Sequence, residues 1–133
     1  MKHSLLSSSL LAVSLVVSAQ TAPLEELLAR YQSAGASSFD ATRGAQLWQQ
    51  TVTPAGEAQA RSCGTCHTDD LRAAGKHART GKAIDALAPA ANPKRLTDID
   101  TMEKWLTRNC KWTWGRACTP QEKGDLLSFI KSR

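Results

Sequence analysis

Cys63, Cys66 and His67 stand in the order Cys-x-x-Cys-His, the spacing that attaches a c-type haem. The two thiols can reach neighbouring vinyl groups of one porphyrin, and the next residue brings an imidazole beneath the iron. Cys-x-x-Cys alone is shared with redox dithiols and zinc sites. The adjoining His67 separates haem from both. A thioredoxin-like dithiol needs a βαβ frame, and no such pattern surrounds these residues. A zinc site built from all 4 cysteines would leave His67 unexplained, and the gap between Cys110 and Cys118 does not suit a zinc knuckle. Cys110 and Cys118 are the even pair left over, expected to form a disulfide from the end of one helix to the start of the next. The chain-entropy model gives about 2.5 kcal/mol for closing so short a loop.

Three residues compete for the second axial position. Met102 is the methionine beyond the N-terminal segment, and Met is the common second ligand of an electron-transfer cytochrome c. Its plainer use is core packing at helical spacing. His77 follows in a Gly- and Lys-containing loop, where simple exposure is the plainer reading. Asn109 is a polar amide on the apolar stripe of its helix, where it needs a partner or costs stability. Helix C-capping would also explain it. Met102 and Asn109 lie about 10.5 Å apart along a helix, so they cannot both serve one iron. Spacing alone leaves the choice between them open.

The elements that must position these residues are short helices. Leu24 to Ala34 has Pro23 and two acidic residues at its start, Gly35 at its end, and apolar residues at helical spacing. Ala41 to about Thr51 puts Gly44 and Trp48 on one face, and Gly44 is expected to let this helix cross the C-terminal one closely. About Asp100 to Cys110 carries Met102, Trp105, Leu106, Asn109 and Cys110 on one stripe. Thr119, Pro120 and Glu122 then spell a capping box that opens the last helix. Leu71 to Asn92 is irregular and punctuated by Gly75, Gly81 and Pro89, a length that needs something to pack on. No segment alternates like a strand, so the expectation is all-α, with a haem serving as much of the core.

The 133-residue chain has a formal charge of +5. That balance is too mild and scattered to argue for nucleic acid. Residues 1–19 read as a secretory signal peptide: Lys2 and His3, a brief apolar core from Leu10 to Val17, then Val17-Ser18-Ala19 as the cleavage site. The apolar core is too short to span a membrane. Residues 20–133 would then form one exported domain, in a compartment where disulfides persist and, in bacteria, c-type haem is attached.

Several stretches resemble the sphaeroides haem protein family. They are Arg79-Thr80-Gly81-Lys82-Ala83-Ile84, Leu87-Ala88-Pro89, Glu103-Lys104-Trp105-Leu106, Arg108-Asn109-Cys110 and Gly115-Arg116-Ala117-Cys118-Thr119-Pro120. With Ala41 to Trp48 and the haem motif, the resemblance covers nearly all of residues 20–133. It implies a class I cytochrome c-like fold around one covalent haem c, held through Cys63 and Cys66, with His67 as proximal ligand. It also implies Asn109 as distal ligand and a Cys110–Cys118 disulfide. The implied function is periplasmic electron transfer, with a distal Asn that gives way on reduction to O2, NO or CO. The implied partners are a dihaem cytochrome c and a membrane cytochrome b. A plain carrier using Met102, and a terminal oxidase or NO-detoxifying enzyme, are the alternatives. Lys82 and Arg79 are candidates to steady the propionates, and Pro89 to offer a carbonyl to His67. Trp112 and Trp114 depart from the smaller residues expected in relatives; they would shield the distal pocket, dock a partner, or pack under the disulfide loop.

Overall fold

The computed structural model describes residues 22–133. The expected signal peptide and its cleavage after Ala19 lie outside the described residues. Five helices follow in order: α1 (Pro23–Ser33), α2 (Ala41–Gln49), α3 (Gly64–His67), α4 (Ile99–Trp114) and α5 (Pro120–Lys131). Between α3 and α4 lie two short strands, β1 (Gly75–Lys76) and β2 (Ala83–Ile84). The strands pair antiparallel, Gly75 with Ile84 and Lys76 with Ala83. This small ladder is a correction to the strand-free expectation. Two residues per strand carry no periodicity to read.

Capping chemistry explains the long helices. Asp40 accepts the Arg43 N–H to open α2, and Asp98 accepts the Thr101 N–H to open α4. The box at α5 forms as expected, with Thr119 and Glu122 each capping the other's backbone. Helix α4 runs four residues further than its stripe suggested. Gly115 stops it in the left-handed region at φ 70°, where its N–H reaches the Lys111 carbonyl. Cys110 therefore sits inside α4 rather than at its end.

Helix α2 crosses α5 at Gly44. A Cβ there would overlap the Asp125 carbonyl oxygen and lie 2.7 Å from Phe129 Cβ, so only glycine allows the approach. Beside the crossing, Asp125 is 2 % exposed. Its carboxylate accepts the Asp40 N–H at 2.7 Å, Arg43 Nε–H at 2.9 Å and Arg43 Nη2–H at 2.9 Å. Burial would raise this carboxyl, but the Arg43, Asp40 and Gln121 donors outweigh it and hold it below its ordinary value. The core divides in two. Leu24, Leu27, Tyr31, Met102 and Leu127 form one cluster, while Trp48, Leu71, Cys110, Trp114, Leu126 and Phe129 belong to the other.

Candidate functional site

The attachment motif is itself α3. The His67 N–H folds back to the Cys63 carbonyl at 3.2 Å, and Thr68 ends the turn at φ 63°. Trp48, from α2, fixes that end: its Nε1–H donates to the Thr68 carbonyl at 3.0 Å. The same indole lies 5.8 Å from the His67 ring and 5.7 Å from Phe129 of α5. Two crossed helices thus brace the His67 ring from one side.

Burial lowers the His67 pKa to about 4, and the nearby Arg95 charge acts in the same direction. A neutral imidazole is the form that can bind a metal. Its Nδ1 is buried without a hydrogen-bond partner among the described residues. The expected bond from Pro89 is therefore not made. Leu71 instead draws the preceding segment inward, its carbonyl accepting the Leu87 N–H at 2.9 Å and the Ala88 N–H at 2.8 Å. Cys63 and Cys66 are free and half-buried, and burial pushes the Cys63 thiol up to about 12.

Cys63, Cys66 and His67 open onto a cavity of about 540 Å³, within the usual range for small-molecule and cofactor sites. Trp48, Leu87, Leu106, Leu126 and Ile130 give it an apolar body. Lys82, Lys94 and Arg95 also line it, against the single carboxylate of Asp98. An apolar macrocycle carrying two carboxylates fits that donor set. His77, Met102 and Asn109 reach the same cavity, so the fold gathers every residue singled out for the iron. Arg79 is exposed and is not part of the wall, which corrects its expected place beside the propionates. His77 is half-buried rather than exposed.

The distal candidates differ in their surroundings. Met102 packs among Leu24, Leu27, Tyr31 and Leu127 and is 7 % exposed, which is the core use its spacing allowed. Asn109 is half-buried on the cavity wall, beside Cys110. Cys110 and Cys118 are disulfide-bonded with Cα atoms 5.7 Å apart. Trp112 and Trp114 line the cavity, and Trp114 is 7 % exposed, so they wall the pocket rather than offer an outer docking face. Arg61 ties this end of α4 to the attachment loop. Its Nη1–H donates to the Trp112 carbonyl at 3.0 Å, and its guanidinium lies 4.3 Å over the Trp112 ring. A bridge between Val52 and Arg61 and an ion pair with Glu57 hold Arg61 in turn.

A family model described as a domain of unknown function, DUF1924, matches residues 34–130. The cytochrome c-type protein SHP of Cereibacter sphaeroides is 46% identical over 108 residues, covering 81% of this chain and 82% of that protein. This chain belongs to the sphaeroides haem protein family. The structure of oxidized SHP, described as an oxygen binding cytochrome c, matches with a TM-score of 0.74 at 43% identity, over 83% of this chain and 96% of that one. Oxidized cytochrome c'' of Methylophilus methylotrophus matches with a TM-score of 0.70 at 31% identity, over 84% and 94%. The helical cytochrome fold and haem c as covalent cofactor follow for this family member.

Two cavity residues were not legible as site residues in the sequence. Trp48 read only as a helix-face aromatic, and Arg95 carried no signal of its own. The Gly44 crossing was the available signal for Trp48, since a helix that closely packed must carry its next-turn aromatic into the core. For Arg95 no local pattern exists, because distant parts of the chain bring it to the wall.

Proposed function

We propose that this chain is an exported, periplasmic monohaem cytochrome that carries electrons and binds a small diatomic ligand when reduced. In this reading Cys63 and Cys66 carry the thioether links, His67 is the proximal ligand, and Asn109 is a displaceable distal ligand. When bound, haem c supplies a redox iron with one exchangeable position. The observation that carries the reading is that Asn109 is half-buried on the cavity wall, while Met102, although it also reaches the cavity, is 7 % exposed and packed into the α1 cluster. An amide oxygen is a hard, weak ligand better matched to ferric than ferrous iron, so Asn109 would hold the reduced iron only loosely. Haem c bound here would then leave a position that O2, NO or CO could take. The apolar walls of Trp112, Trp114 and Leu106 keep the vacated space from favouring charged ligands.

Oxygen binding is described for the similar SHP structure, and the shared fold supports extending it to this protein. The proposed redox partners are a dihaem cytochrome c and a membrane cytochrome b.

Absorption spectra of the holoprotein, ferric and dithionite-reduced, with and without CO, test this. A high-spin ferrous spectrum that shifts with CO is the expected result. A low-spin, CO-silent ferrous spectrum would overturn it and assign the sixth position to Met102.

A further inference from the structure

We propose that His77 is a hydrogen-bond donor of fixed tautomer to a haem propionate, and that Lys82 and Arg95, which line the same cavity, supply the positive charge that receives it. The β1–β2 hairpin that carries His77 is pressed against the attachment helix. A Cβ on Gly75 would overlap the Cys66 carbonyl and lie 3.0 Å from His67 Cα. His77 follows directly after β1, where its N–H donates to the Lys82 carbonyl at 2.8 Å and its carbonyl accepts the Gly81 N–H at 2.9 Å. Its ring is held as firmly as its backbone. Nδ1 accepts the N–H groups of Arg79 at 3.3 Å and Thr80 at 3.2 Å.

A nitrogen that accepts two amides carries no proton, so the neutral ring must hold its proton on Nε2. That arrangement excludes His77 as an iron ligand. Coordination through Nε2 would move the proton to Nδ1 and break both turn bonds. The ring is instead built to donate. Its neighbours on the wall point to what it donates to: Lys82 and Thr80 from the same turn, and Arg95. Arg95 is fixed by its Nε–H to the Ala86 carbonyl at 2.9 Å and its Nη2–H to the Asp85 carbonyl at 2.8 Å, so its charge stays at the cavity. Asp98, the carboxylate on this wall, is occupied in accepting the Thr101 N–H. An N–H donor sharing a wall with two cations suits an anionic, planar carboxylate. The covalent cofactor brings two.

The inference rests on haem c alone and not on displacement of Asn109, so either can fail without the other. Its first test needs no variant: 15N shifts of the histidine rings in the labelled holoprotein. His77 is expected to show the Nε2–H pattern, and an Nδ1–H pattern overturns the proposal. The second test is His77→Asn, whose Oδ1 can accept the two turn amides while the far nitrogen is gone. Resonance Raman should show a shifted propionate bending band. A band identical to wild type overturns the proposal.

Discussion

A buried carboxylate at the α2–α5 crossing contributes to the protein's response to acid. Asp125 is held below its ordinary value of 3.8 by Arg43 and its other donors, against the opposing effect of burial. A depressed folded value means that its stabilisation is complete above the unfolded value and is lost as the pH falls through the folded one. Thermal melts of the holoprotein should therefore lose Tm below about pH 4. Asp125→Asn should cost about 2–4 kcal/mol at neutral pH, because the Arg43 guanidinium and Asp40 N–H lose a charged partner. The variant should also flatten that acid limb. At the proposed distal residue, Asn109→Met offers a soft ligand suited to ferrous iron. Its reduced form is expected to be low-spin, with CO affinity reduced at least tenfold, equivalent to about 1.4 kcal/mol. A CO titration of the two reduced proteins measures it.

Among the elements, the glycine contact between α2 and α5 has the clearest consequence. Gly44→Ala improves helix propensity by about 1 kcal/mol, but the added methyl meets backbone that cannot swing aside. A net loss of about 1–2 kcal/mol in denaturant titrations is expected from such overpacking. This contact was readable because a glycine one turn before a tryptophan has few other uses. The capping box of α5 was readable for a similar reason, since cap chemistry is local. Helix α4 was underestimated because its apolar stripe was traced only to Cys110, although Gly115 marks the real stop. The β1–β2 ladder was invisible, since the His77 ring and the Gly81 turn create it rather than any alternation. The same division holds at the site. Spacing alone declared Cys63, Cys66 and His67, while the Trp48 brace and the Arg95 charge come from chain segments that meet only in three dimensions.

For the molecule as a whole, the cofactor stands in for side chains the core lacks. Without it, the apolar walls of a cavity of about 540 Å³, among them Trp48, Leu87, Leu106, Leu126 and Ile130, would face water at about 25 cal/mol per Å² of apolar surface. The Cys63→Ala/Cys66→Ala chain, produced without attached haem, should show no cooperative thermal transition by circular dichroism, whereas the holoprotein should show one. The distal end of the cavity, by contrast, is held independently of its contents. Cys110 is tied to Cys118, Trp112 is clamped by Arg61, and Gly115 locks the helix terminus. With the backbone fastened at three points, the proposed displacement of Asn109 is expected to run through rotation about its own side-chain bonds. Such rotations take picoseconds to nanoseconds, while displacements of a whole helix take microseconds to milliseconds. The gate proposed at the iron is therefore a fast one. After a light flash that ejects CO, its return should be finished without a millisecond phase, and cutting the clamp with Arg61→Ala should introduce one.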